Sequence, residues 1–123
     1  GTGHAFERGK GAAEGLKLNI PMQPGWGDQQ FLREWERVVE HLRRFKPEFI
    51  IMQCGADSLA GDPLAHLQYT PAAHRHAASS LCELANEMAG GRVMGFGGGG
   101  YNRGNLALAW SAVLKEFLAA SDR

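Results

Sequence analysis

Phe49-Ile50-Ile51-Met52-Gln53-Cys54, running directly into Gly55-Ala56-Asp57-Ser58-Leu59-Ala60-Gly61-Asp62-Pro63-Leu64, decides how this sequence folds. The first six residues form an almost continuous apolar run of strand length. A strand that is apolar on both faces suits the middle of a parallel sheet better than an exposed antiparallel one. The next stretch is rich in Gly, Asp, Ser and Pro, and predicts a long loop from Gly55 to about Tyr69. The same grammar recurs downstream. Val93 to Phe96 predicts another short strand, and Gly97-Gly98-Gly99-Gly100-Tyr101 leaves it. Both loops therefore sit at the carboxyl ends of strands, where open α/β sheets place their chemistry.

The segments around these strands read as helices. Thr70-Pro71 is a helix start, with Thr as N-cap and Pro at the first helical position. Ala77, Leu81, Leu84, Ala85 and Met88 give its buried stripe, and Gly90-Gly91 ends it. Upstream, Asp28 is a candidate N-cap. Phe31, Trp35, Val38, Leu42 and Phe45 then recur at helical spacing until Pro47. Asn105 to Leu118 predicts a third helix, with Leu106, Trp110, Val113 and Phe117 inward. Leu16 to Ile20 alternates apolar and polar before Pro21 and predicts a first strand. The order β-α-β-α-β-α implies an α/β fold: a three-layer parallel sheet with helices on its faces. Three strands make a thin sheet, so one edge is expected to lie against further strands.

Composition narrows the function classes. The chain has 123 residues, of which 44% are hydrophobic, enough for one domain or part of one. Lys plus Arg and Asp plus Glu number 13 each, so no global field points to nucleic acid or to an anionic membrane as a partner. Cys54 and Cys82 lie in apolar contexts, with no Cys-x-x-Cys spacing, and are expected as buried, reduced thiols. No apolar run approaches the roughly 18 residues of a membrane span, and no signal peptide is visible. A cytoplasmic location is the expectation. The chain starts Gly1-Thr2-Gly3-His4 without Met, which fits a tag scar, a processed end or a cut within a larger protein.

Two features could carry chemistry. Asp57, just past the buried strand, could be a metal ligand, a general base or a loop cap; Asp62, before Pro63, reads as a turn residue. The four glycines before Tyr101 admit several readings. They could cradle a phosphate at a helix N-terminus, although the Lys and Ser/Thr of a P-loop are missing. They could make room for a substrate channel with Tyr101 at its mouth, its phenol poised to donate to an oxyanion. They could also form a tight turn and no more. The histidines His4, His41, His66, His74 and His76 read as surface residues without convergent metal spacing.

Gln53 to Leu64 and Gly97 to Tyr101 closely resemble the two C-terminal active-site signatures of the histone deacetylase superfamily, which includes acetoin-utilisation proteins and acetylpolyamine amidohydrolases. Gly1-Thr2-Gly3, Leu18-Asn19-Ile20-Pro21, Gly25-Trp26-Gly27-Asp28, Tyr69-Thr70 and Asn105 through Trp110 extend the likeness, in order, over nearly the whole chain. The resemblance implies an arginase/deacetylase fold and a zinc-dependent amidohydrolase that releases acetate from an N-acetylated amine, either a small molecule or acetyl-lysine in a protein. It implies that Asp57 is one of two aspartate ligands to zinc. Tyr101 would be the tyrosine that stabilises the oxyanion, Gly99 part of the acyl-lysine channel wall, and Leu64 an apolar residue on its rim. The family's Asp-x-His ligands and tandem histidines have no counterpart here. Residues 1–123 therefore resemble the C-terminal part of a single catalytic domain, expected to be inactive alone. A phosphate- or nucleotide-binding module using the glycine loop, or an interaction fragment, are the alternatives.

Overall fold

Thr70 starts the central helix as its sequence requires. Its Oγ1 accepts from the Ala72 N–H at 3.2 Å, and Pro71 occupies the first position, where no N–H is needed. In this computed structural model, which describes residues 1–122, the helix runs Pro71–Met88 (α2). It is preceded by Asp28–Phe45 (α1) and Ile50–Gln53 (β1), and followed by Val93–Phe96 (β2) and Arg103–Ser121 (α3). A single 3-10 turn, Gly11–Ala13, lies in the N-terminal loop. The strands β1 and β2 pair in parallel, with Ile50 opposite Val93 and Gln53 opposite Phe96, and α2 makes the crossover between them.

Helix α2 is the hub of the packing. It contacts α1, α3 and both strands. Its small, tightly spaced residues Ala73, Ala77, Ala78 and Ala85 let neighbours approach closely, while Leu81 and Leu84 fill the space between them. The inward face of β1, Ile50 and Met52, and Cys54 just beyond its end complete this core together with Val113 of α3. The opposite face of the sheet is open: Ile51 is 68% exposed, and Met94 and Phe96 are exposed beside it. The sequence pattern for a strand apolar on both faces is thus satisfied on one face only among the described residues.

Helix α1 is tied to α2 by polar contacts. Trp35 Nε1 donates to Ser80 Oγ at 2.9 Å, and the Arg43 guanidinium grips the Glu87 carboxylate. At its start, Gln30 Oε1 accepts from the Gly27 N–H at 2.9 Å, so Gly27 rather than Asp28 is the N-cap. Asp28 has a longer reach: its carboxylate accepts from both the N–H and the hydroxyl of Thr70, locking the start of α1 to the start of α2. The predicted apolar stripe of α1 is only half covered, and no residue of the helix is buried. Between it and β1 lies a cavity of about 490 Å³, lined by Phe31, Trp35, Val38, Ile50 and Met52 and reaching Asp57.

The strand expected at Leu16 to Ile20 does not form. An alternating segment becomes a strand only when a neighbour takes up its backbone groups. Here the Leu16 carbonyl accepts from His41 Nε2 at 2.8 Å and the Lys17 N–H turns back to the Arg8 carbonyl. Asn19 Nδ2 donates to the carbonyls of His4 and Glu7, so the segment is laced to the N-terminal loop instead. His41, expected on the solvent face of α1, is half-buried by the same contact and by the Phe45 ring.

Leu84 is 1% exposed at the centre of this packing. Leu84→Ala should cost about 2–5 kcal/mol in denaturant unfolding, because neighbours on three sides refill the cavity poorly. A loss below about 1 kcal/mol would mean that the α2 core collapses around the missing side chain.

Candidate functional site

The parallel ladder does not stop where the strands do. The Cys54 N–H donates to the Phe96 carbonyl at 2.8 Å, and the Ala56 N–H donates to the Gly99 carbonyl at 2.6 Å. The loop after β1 and the glycine run after β2 therefore travel side by side. Two side chains anchor the first loop, one from the buried His74 and one from Trp110, which is 38% exposed rather than turned fully inward as its place on the apolar stripe of α3 predicts. Trp110 Nε1 of α3 donates to the Cys54 carbonyl, and His74 Nε2 of α2 donates to the Gly55 carbonyl, each at 2.8 Å. The Cys54 thiol points at the Phe96 carbonyl at 3.0 Å, and burial pushes its pKa up, so it stays a neutral donor.

Each glycine of the run makes room for a close neighbour. A Cβ on Gly97 would meet the Trp110 ring at 3.0 Å, and one on Gly98 would collide with the Gln53 side-chain amide. On Gly99 it would lie 2.7 Å from Asp57 Oδ2, and on Gly100 2.5 Å from Leu106 Cδ2. Gly100 also has φ +135°, a conformation that side chains rarely allow. The Asp57 carboxylate thus lies against Gly99. It is half-buried and makes no hydrogen bond or ion pair among the described residues. A carboxylate in that place argues against a phosphate cradle, since it would repel an anion brought to the same backbone.

Tyr101 comes next, 58% exposed, its hydroxyl without a hydrogen-bond partner among the described residues. Its main-chain N–H donates to Asp62 Oδ2 at 3.0 Å. The other oxygen of Asp62 accepts from the N–H groups of Leu64 at 2.8 Å and Ala65 at 3.0 Å, the turn expected there. Partial desolvation works against the Asp62 charge, but the N–H groups of Ala65, Tyr101 and Leu64 outweigh it and hold the carboxyl below its usual range. Leu64 is 63% exposed on the outer edge of this turn. Asp57, Gly99, Tyr101 and Leu64 are therefore brought to one end of the sheet, on two loops that share hydrogen bonds.

His74 is a residue that reading the sequence misplaced. It is buried, 7% exposed, rather than on the surface, and its Nδ1 has no partner among the described residues. The signal was present: position 74 lies three, four and seven residues before Ala77, Ala78 and Leu81, on the buried stripe of α2. Among the described residues no group of three or more His, Cys, Asp or Glu side chains could hold a metal ion. A catalytic zinc takes three protein ligands. Asp57 is a donor of the right kind with its oxygens free, but this chain's described residues do not make a zinc site by themselves.

The histone deacetylase domain model matches residues 1–117, spanning both loops, both strands, α1, α2 and all but the last turn of α3. The chain belongs to the histone deacetylase family. It is 40% identical to "Histone deacetylase 14, chloroplastic" of Arabidopsis thaliana over 127 residues, covering 99% of this chain and 30% of that protein. It is 36% identical to "Acetoin utilization protein AcuC" of Staphylococcus aureus, covering 100% of this chain and 31% of that one. Among solved structures, the HDA15 HD domain superposes with a TM-score of 0.88 at 33% identity, covering 97% of this chain and 33% of that chain. The chain thus spans about a third of the length of these relatives.

The two inner glycines should respond differently to a methyl group. At Gly99 the added Cβ meets the end of the Asp57 side chain, which can swing away. At Gly100 it meets Leu106 and Ala56 at a positive φ. Gly100→Ala should therefore lose about 1–3 kcal/mol in denaturant unfolding, and Gly99→Ala clearly less. The reverse order would mean that Asp57 is held rigidly against Gly99.

Proposed function

We propose that this chain is the C-terminal part of the catalytic domain of a zinc-dependent deacetylase, which hydrolyses an N-acetyl amide to acetate and a free amine. The observation that carries this reading is the juxtaposition of an unpaired carboxylate, Asp57, with a glycine run that presents the free phenol of Tyr101 at the same sheet end. The deacetylase names of the relatives support the reaction class. Lewis acidity toward the carbonyl and the attacking water would come from zinc bound at Asp57 together with ligands outside this chain.

The chain's own residues then have separable parts. Asp57 offers an oxygen ligand whose approach Gly99 permits, having no Cβ. Tyr101 donates its hydroxyl hydrogen to the carbonyl oxygen as negative charge gathers there, and the bond strengthens toward the tetrahedral state. Gly99 and Leu64 line the path of the acyl chain, Leu64 at the rim. The substrate is an acetylated small molecule or an acetyl-lysine side chain; the apolar rim accepts the alkyl stem of either. Both cysteines are buried, and we assign the protein to a reducing, cytoplasmic location, where thiols persist as such. The described helices include none long and apolar enough to cross a membrane.

Two variants of the full-length protein test these roles. Asp57→Asn should lose both bound zinc and turnover, and stoichiometric zinc with normal turnover would remove Asp57 from the metal site. Tyr101→Phe should keep its zinc and its fold, because the ring remains, while kcat on an acetylated amine falls about 100- to 1000-fold. A fall of less than about fivefold, far below that scale, would leave Tyr101 as a residue packed on a glycine turn.

A further inference from the structure

We infer that Asp62 is a positioning residue for Tyr101: its carboxylate fixes the backbone from which the phenol reaches the reacting carbonyl. The inference rests on the oxyanion role proposed for Tyr101 and adds the residue that makes it geometrically possible. A turn at Pro63 needs only one oxygen, and Oδ1 fills that need by accepting from Leu64 and Ala65. Oδ2 is left over, and it accepts from the N–H of Tyr101, 39 residues away in sequence. That second bond has no part in shaping the turn.

Tyr101 needs an anchor because of what precedes it. Gly97 to Gly100 have no side chains to restrict them, and Gly100 sits at φ +135°. Glycine backbone has the largest freedom to lose on ordering. The end of the run is therefore held from outside, and the contacts converge on the segment Ala60 to Asp62. Asn105 Nδ2 donates to the Ala60 carbonyl at 3.0 Å, and Asn102 Nδ2 lies 3.4 Å from the Gly61 carbonyl. Asp62 closes this bracket with the one ionised group in it, and hydrogen bonds to charged acceptors are the stronger kind. A tilt at the Tyr101 backbone is magnified at the distant hydroxyl, and displacement of a reacting group by about 1 Å costs as much as about 100-fold in rate. The same carboxylate accepts from the Leu64 N–H, so one side chain holds the backbone both at the phenol and at the rim residue.

The test is a double-mutant cycle in the full-length protein, with an acetyl-lysine peptide as substrate. Asp62→Asn keeps the volume but leaves one oxygen for donors in two directions. It should lower kcat about tenfold or more, with KM changed by less than about twofold and zinc content unchanged. In the Tyr101→Phe background the same substitution should cost almost nothing, since the hydroxyl it positions is gone. Hydrogen exchange gives a readout besides activity: the Tyr101 amide should exchange faster in Asp62→Asn. Should that variant not fold, Asp62→Ser keeps a single acceptor for the Leu64 N–H and gives up the oxygen on Tyr101, and the same outcomes apply to it. Equal losses of kcat in both backgrounds, no loss, or an unchanged Tyr101 amide would overturn the inference while leaving the proposed function standing. A Tyr101→Phe enzyme as active as the wild type would overturn the inference together with the oxyanion role of Tyr101, and leave the hydrolytic reaction itself standing.

Discussion

The hydrogen bond from the Ala56 N–H to the Gly99 carbonyl, 2.6 Å long, carries the parallel pairing of β1 and β2 past the ends of both strands. Everything at the site depends on that continuation. Two loops leaving neighbouring parallel strands would ordinarily diverge. Here they stay within one backbone hydrogen bond of each other, and Asp57 and the glycine run face each other across it. The pairing that builds the sheet and the pairing that builds the site are thus one ladder. Damage to the strand core, at Ile50, Met52 or Cys54, would be felt at Asp57.

The helices serve the same end from below. Helix α2 supplies the apolar hub, and through His74 it also holds the Gly55 carbonyl. Helix α3 packs Val113 and Ala109 into the core and sends Trp110 to the Cys54 carbonyl. Both loop carbonyls are therefore satisfied by side chains of the two helices, the buried His74 and the more exposed Trp110, and the loop carrying Asp57 has little freedom to relax. The glycine run is close-packed for the same reason. The space its missing Cβ atoms leave is taken by Trp110, Gln53, Asp57 and, at Gly100, Leu106 with Ala56. Glycine is required there less for flexibility than for proximity.

The range of each interaction determines how much of this is legible in the sequence. Val93–Phe96 and the Thr70-Pro71 start of α2 are readable because their signals are local: an apolar run bounded by glycines, and a cap that bonds two residues on. Asp57 and Tyr101 can be singled out by their places after strands and by family resemblance. Leu16 to Ile20 misleads because alternation states only which faces differ, not whether a partner strand lies alongside. His74 misleads when a histidine is weighed by its chemistry rather than by its place on the α2 stripe. The second bond of Asp62 cannot be read at all, since it joins positions 62 and 101, which only the fold brings together. The half-empty stripe of α1 and the exposed Ile51 show the same limit: pattern marks a surface as apolar without saying what covers it.

The central claim is that Asp57 is a metal ligand beside Tyr101 at the end of the paired strands. Anomalous scattering at the zinc edge, from crystals of the full-length protein, tests it most directly. The account predicts a single strong peak about 2.0–2.2 Å from a carboxylate oxygen of Asp57, with the Tyr101 hydroxyl turned toward the same pocket. A zinc peak held wholly by other residues, with Asp57 engaged only in loop hydrogen bonds, would contradict it.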